Sequence, residues 1–284
     1  MSPGRRQAHG PRDDGGRGRP VLEIAGAALQ RGERELWSGL DLVVHPGEFL
    51  AVLGPSGSGK TTLLRSILGL QPLSSGTIRV VGEPVHRGNP RIGYIPQQRP
   101  LAPDTSLRAR DLVALGVHGS RFGFPVPHRG DRAKVDRLLT AVGASHYADR
   151  RVGLLSGGEQ QRLRVGQALA DDPALLLCDE PLSNLDLANQ RGVTDIIDRQ
   201  RRERGASILF VTHDINPILG RVDRILYIAG GRFVLGTPDE VLQTRVLTEL
   251  YGTPVFVLRA GDRLVVVGVP DAEPHHDHDH EAHA

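Results

Sequence analysis

The sequence predicts an α/β fold with a helical insertion in its middle. Short apolar runs of strand character alternate with segments of helical period along most of the chain, the pattern of a sheet covered by helices. One of those runs, residues 48–53, passes directly into a glycine-rich turn that opens a helix. Between about 100 and 172 the helical pattern dominates.

In chain order, 21–30 and 40–44 read as strands, the second closed by the turn His45-Pro46-Gly47. Residues 48–53 form a short buried strand, and Leu63, Leu64, Ile67 and Leu68 recur at helical spacing within 60–70. Further strands are expected at 76–81 and 91–95. Helices follow at 107–115, 132–142 and 159–170, with a Gly/Pro-rich loop over 119–130 between the first two. Strand character returns at 174–178 and 207–211, on either side of a helix over 189–204. After Gly230-Gly231 come a strand at 232–235 and a helix near 238–250. A hairpin then pairs 255–259 with 263–267 across Ala260-Gly261-Asp262. The expected organisation is a tail over 1–20 and a main domain over 21–250 with its helical subdomain at about 100–172. A hairpin extension over 251–270 and a second tail over 271–284 complete it.

Of 284 residues, 39% are hydrophobic and 24% charged, the balance of an ordinary globular protein. The net charge of +2 does not argue for a specific nucleic-acid partner. Much of the surplus sits in the first tail, where Arg5, Arg6, Arg12, Arg17 and Arg19 face only Asp13 and Asp14, and the tail reads as a solvated leader. Arg5-Arg6 is not followed by an apolar region, so it is not an export signal. No run approaches the ~18 apolar residues needed to cross a bilayer, so a soluble protein is expected, its membrane role borrowed from a partner. The lone Cys178 excludes an intramolecular disulfide and a cysteine zinc site, and its apolar setting makes it a core residue.

The segment Gly54-Pro55-Ser56-Gly57-Ser58-Gly59-Lys60-Thr61-Thr62 has the spacing of a phosphate-binding loop between strand and helix. Its glycines let main-chain N–H groups close around phosphates, and the helix N-terminus adds a favourable dipole. Lys60 would neutralise the β- and γ-phosphates and the Thr61 hydroxyl would bind Mg²⁺. Lysine occurs only at Lys60 and Lys134, arginine supplying the rest of the 35 basic residues. One of those two lysines thus stands where a point charge suits phosphate better than a planar fork. Downstream, the apolar run Leu175-Leu176-Leu177-Cys178 ends in Asp179-Glu180. Beside a phosphate loop, Asp179 is placed to hold Mg²⁺ and Glu180 to polarise the attacking water.

A third segment, Leu155-Ser156-Gly157-Gly158-Glu159-Gln160-Gln161-Arg162, predicts a helix start: Ser156 and Glu159 form a capping box, and the glycines leave N–H groups open to a phosphate. It also resembles the signature motif of ABC ATPases. That family's other landmarks fall in its order: Gln97 after Ile92-Gly93-Tyr94-Ile95-Pro96, Ser183-Asn184-Leu185-Asp186, and Val211-Thr212-His213-Asp214. The resemblance covers about residues 21–243. It implies a P-loop NTPase of the ABC ATPase fold, with a RecA-like α/β core, an N-terminal antiparallel β region and an inserted helical subdomain. It further implies ATP and Mg²⁺ as ligands. Gln97 then links the catalytic site, and the metal, to the helical subdomain, and His213 contacts the γ-phosphate. Ser156, Gly157, Gly158, Glu159 and Asp186 act in trans on the nucleotide of a second copy, in a head-to-tail homodimer. Integral membrane permease subunits, and an extracytoplasmic solute-binding protein reached through them, are the implied partners, at the cytoplasmic face of the membrane. The family stacks adenine on an aromatic residue where this chain has Arg31; the substitute is then either the guanidinium plane of Arg31 or Trp37, the latter reading more readily as core.

Residues 94–101, 111–116 and 247–255 resemble ATPases of zinc, manganese and metal-chelate importers. The final segment places His275, His276, His278, His280 and His283 among Asp277, Asp279 and Glu281, a composition suited to Zn²⁺, Ni²⁺ or Cu²⁺.

Overall fold

The computed structural model describes residues 18–97, 101–119, 129–261 and 263–268. The first half runs β1 (Leu22–Arg31), β2 (Arg34–Val44), β3 (Phe49–Leu53), α1 (Lys60–Ile67), β4 (Ser75–Val80), β5 (Glu83–Pro84), β6 (Ile92–Ile95), α2 (Ala109–His118) and α3 (Arg129–Ala141). Then follow α4 (Gly157–Ala168), β7 (Leu175–Asp179), α5 (Leu187–Arg204), β8 (Ser207–Val211), β9 (Arg224–Ala229) and β10 (Arg232–Gly236). The chain continues through α6 (Pro238–Val241), α7 (Thr244–Tyr251), β11 (Val255–Ala260) and β12 (Arg263–Gly268).

An antiparallel sheet of order β2-β1-β4-β5 stands over a six-stranded sheet of order β10-β9-β3-β8-β7-β6. In the second sheet, β3, β6, β7, β8 and β9 are parallel and β10 alone is antiparallel. Its strands are apolar on both faces, as parallel strands buried between two layers must be. Leu50, Val52, Leu177, Leu209 and Val211 join the core shared with the antiparallel sheet and α1, whereas Phe49, Ala51, Leu176, Cys178 and Phe210 face the helices. Alternate residues of one strand thus serve two cores. An eight-residue helix is marginal alone, so α1 exists because Leu63, Leu64 and Ile67 are fully buried, each contributing about 1.5–3 kcal/mol. In the insertion, α2 closes on α4 at Gly116, where a Cβ would collide with the Gln167 carbonyl oxygen.

Most expected elements are present, with differences at β9, β2 and the helix near 238–250, and with the two-residue β5 added. Residues 224–229, for which the sequence predicts no element, form β9 beside the edge strand β10, between it and β3. β2 begins at Arg34, six residues before the expected strand. The single helix expected near 238–250 is two: Leu242 leaves helical geometry at φ −85°, ψ 59° and Gln243 is extended. The Thr244 hydroxyl then accepts from Val257 N at 3.0 Å, docking α7 on β11. The hairpin β11–β12 forms as expected, with Val255 and Leu264 buried. Cys178 is fully buried and burial pushes its thiol pKa up, as suits a core residue. The N-terminal tail before residue 18, most of the 119–130 loop and the histidine-rich tail lie outside the described residues.

Candidate active site

The sheet brings four chain segments together at the carboxyl ends of neighbouring parallel strands, where α/β folds place their ligands. β3 delivers Gly54, β8 delivers Thr212 and His213, β7 ends in Asp179 and is followed by Glu180, and β6 leads to Gln97.

The loop after β3 can be built only with glycine at two points. Gly54 has φ +141°, and a Cβ there would collide with the Ile228 carbonyl oxygen. Gly59, at φ +99°, precedes the first turn of α1, and a Cβ would stand 2.8 Å from Trp37 Nε1. Trp37 is fully buried beneath the loop, which makes it core rather than a platform for a base. Arg31 is exposed at the end of β1, opposite Arg34. The Ser58 hydroxyl is buried in the loop with no hydrogen-bond partner among the described residues, so the cradle holds a donor free to receive a phosphate oxygen. Lys60 Nζ donates to the carbonyls of Gly54 at 2.7 Å and Pro55 at 2.8 Å. Burial lowers the Lys60 pKa, and the charges of Glu180 and Asp179 oppose that shift.

Asp179 is buried and takes a bond on each oxygen: Thr61 Oγ1 donates at 3.0 Å and the Tyr94 hydroxyl at 3.3 Å. Burial raises the Asp179 pKa against both bonds, with the charge of Glu180 adding to it. Burial first, then the charge of Asp179, pushes the Tyr94 phenol up to about 12. A hydroxyl beside a carboxylate whose ionisation is opposed by burial is an all-oxygen donor set that fits Mg²⁺.

Glu180 adopts the left-handed region at φ +46°, sparse for a non-glycine residue and costing about 1–3 kcal/mol. Its N–H donates to Val211 O at 3.0 Å, and its carbonyl accepts from Ser183 Oγ at 2.6 Å. The turn so fixed leaves the Glu180 carboxylate between two other site residues. Gln97 Nε2 donates to Glu180 Oε2 at 3.2 Å, and His213 Nδ1 lies 3.6 Å from the same oxygen. With its amide nitrogen so engaged, Gln97 keeps its carbonyl oxygen for a cation.

Ser156 caps α4 in the expected capping box: Glu159 N donates to Ser156 Oγ at 3.3 Å and Ser156 N to Glu159 Oε2 at 2.8 Å. Asp186 caps α5, accepting from Asn189 N at 2.8 Å, and that bond holds its carboxyl below the usual range. The two helix starts touch, since a Cβ on Gly158 would collide with the Asn189 amide. Two residues of the site carry roles that neighbouring sequence does not reveal. Tyr94 bonds Asp179, and the buried Gln160 accepts from Leu101 N at 3.1 Å while donating to Val152 O and Leu155 O. The start of α4 is thereby fastened to the segment downstream of Gln97. Among the described residues there is no cluster of three or more His, Cys, Asp or Glu suited to a metal, and no helix long and apolar enough to cross a membrane. The histidines of the C-terminal tail fall outside them.

The raised Asp179 pKa has a sign that can be measured. Ionisation is easier in the unfolded chain, so this group withdraws stability from the nucleotide-free protein as pH rises from the ordinary carboxylate value through the raised one. Were Asp179 to hold Mg²⁺, which needs the carboxylate form, acidification through the same range should weaken MgATP binding. Titration calorimetry across pH should show this in the wild type, and weaker binding with a shallower pH dependence for Asp179→Asn.

Residues 37–183 match the family model described as ABC transporter. The chain is 32% identical over 260 residues to the zinc import ATP-binding protein ZnuC of Chelativorans sp. (strain BNC1), covering 92% of this chain and 82% of that protein. It is 34% identical over 247 residues to the sn-glycerol-3-phosphate import ATP-binding protein UgpC 1 of Rhizobium johnstonii, covering 84% of this chain and 65% of that one. A solved ABC transporter described as of the metal-chelate type, in an inward-facing conformation, superposes with a TM-score of 0.74 at 26% identity, over 89% of this chain and 99% of its own. The match spans the loop, the strand-end carboxylates and the capped glycine helix in one stretch, and the chain belongs to the ATP-binding subunits of ABC transporters, enzymes that hydrolyse ATP.

Proposed function

We propose that this ATPase powers an importer of a divalent metal ion, zinc or manganese, or of a metal chelate. The observation that carries the catalytic part is the Glu180 carboxylate held between Gln97 and His213 above the phosphate loop. The zinc-import relative and the metal-chelate transporter structure support the cargo, and the glycerol-phosphate relative supports the second reading, another small solute. A soluble ABC ATPase without a transport role is the third.

In this reading the N–H groups of the 54–62 loop bind the phosphates, and Lys60 swings from its carbonyls to the β- and γ-phosphates. Thr61, Asp179 and Gln97 would hold Mg²⁺, which would supply positive charge against the phosphate oxygens. Glu180 takes the proton of the water that attacks the γ-phosphorus while the bond from that phosphorus to the β–γ bridging oxygen breaks and ADP leaves, and His213 donates a hydrogen bond to the γ-phosphate. Ser156, Gly157, Gly158, Glu159 and Asp186 complete the site of a second copy, so the working unit is a homodimer. It docks on membrane permease subunits at the cytoplasmic face, with an extracytoplasmic solute-binding protein on the other side. Residues 21–250 form the ATPase domain, with its helical subdomain at about 100–172. Arg31 stacks on the adenine in place of an aromatic ring.

Whole-cell metal content tests the cargo. A strain lacking this gene, grown under metal limitation with backup uptake removed, should show a zinc or manganese deficit that the wild type corrects and Glu180→Gln does not. Unchanged metal content would point to another solute or a non-transport role. The histidine-rich tail is proposed to bind divalent metal weakly; a chain truncated at Asp271 should lose that binding in equilibrium dialysis, and unchanged binding would refute it.

A further inference from the structure

The C-terminal hairpin is joined to the loop of His213 by one side chain. Asn216 Nδ2 donates to Leu264 O at 2.9 Å, and Asn216 Oδ1 accepts from Leu264 N at 2.8 Å. One amide thus takes both main-chain groups of a β12 residue, as a residue on an adjacent strand would. Leu264 itself is buried in the core, so the tie ends on a fixed point.

The same amide reaches back toward His213. Asn216 N and Nδ2 both donate to Asp214 Oδ1, at 2.9 and 2.7 Å. Asp214 N donates to Thr212 Oγ1 at 3.1 Å, Thr212 Oγ1 donates to Asp214 O at 2.9 Å, and Thr212 N donates to Val52 O at 3.2 Å. The main chain around His213 is therefore held at both ends, by β3 through Thr212 and by β12 through Asn216. The imidazole is 67% exposed, so little packing orients it, and its position follows from the main chain that carries it.

We propose that Asn216 is a positioning residue for ATP hydrolysis, tying the His213 loop to β12 so that the C-terminal hairpin becomes part of the catalytic unit. The inference rests on the reading of His213 as the γ-phosphate contact given above. Misplacing a reacting group by an ångström costs up to about 100-fold in rate, and the loss of one of two anchors should cost less.

The test is steady-state ATP hydrolysis by the full chain, with thermal melting of each variant. His213→Ala should lower kcat by about 100-fold or more. Asn216→Ala should lower kcat about tenfold with KM for MgATP changed by less than about twofold. In the His213→Ala background the same change should cost nothing further, because Asn216 acts through His213. Asn216→Asp keeps the shape of the side chain but loses both Nδ2 donors and faces the Asp214 carboxylate. It should reproduce the kcat loss, and it serves if the alanine variant does not fold. If His213→Ala leaves kcat intact, the reading of the site is wrong. If His213→Ala lowers kcat but both Asn216 variants only lower the melting temperature, or if the losses add in the double variant, the positioning role is overturned.

Discussion

Glu180→Gln is expected to lower kcat for ATP by about 1,000-fold or more while leaving nucleotide binding intact. The substitution preserves shape. Glutamine at 180 can still accept from Gln97 Nε2, and the left-handed turn held by Val211 and Ser183 does not depend on the side chain. What is lost is a carboxylate able to take a proton from water. The nucleotide then stays unhydrolysed, and the pair of chains closed around it persists. Phosphate release measures the first effect, and size-exclusion chromatography with ATP, showing a dimer that the wild type does not accumulate, measures the second. Rapid turnover by the glutamine variant would remove Glu180 from the mechanism.

Lys60→Ala acts earlier, on binding, and is expected to raise the Kd for MgATP about 100-fold, the scale for truncating one partner of a desolvated charge contact. The ammonium is largely buried against the carbonyls of Gly54 and Pro55, so its removal also leaves two loop acceptors without that donor. Lys60→Arg should not restore affinity, because a planar fork cannot replace a compact charge inside a loop closed to the size of Gly59 against Trp37. Titration calorimetry with MgATP distinguishes these outcomes, and unaltered affinity in Lys60→Ala would displace the nucleotide from the loop.

What the sequence disclosed was whatever its neighbours along the chain determine. The phosphate loop, the capping box of Ser156 and Glu159 and the short parallel strands are written within a few residues of one another, and the structure has them. β9 was not legible because an apolar run such as Ile225–Ala229 has no period that separates strand from buried helix. The split of α6 from α7 depends on Val257, which lies 13 residues from the Thr244 that docks it. Distance along the chain also hid the supporting residues of the site. Tyr94 meets Asp179 across 85 residues, and Asn216 meets Leu264 across 48. The bond from Gln97 to Glu180 spans 83 residues, and only the resemblance to a family drew attention to Gln97. The helix start at Ser156 was legible as a cap, while the cap at Asp186 and the contact of the two starts through Gly158 and Asn189 were not.

In the proposed function, each ATP is hydrolysed between the phosphate loop of one copy and the glycine helix of another. Mixing two inactive chains puts this shared site to the test. Lys60→Ala disables the loop, and Gly157→Asp sets a carboxylate where the γ-phosphate of the partner's ATP would sit, at a helix start that tolerates an acidic residue. Each alone should hydrolyse almost no ATP. In an equal mixture, half of the dimers pair one chain of each kind and hold one intact site, so phosphate release should recover to about a quarter of the wild-type rate. If the mixture is no faster than its components, each chain works with its own glycine helix, or the helix takes no part, and the shared site is refuted.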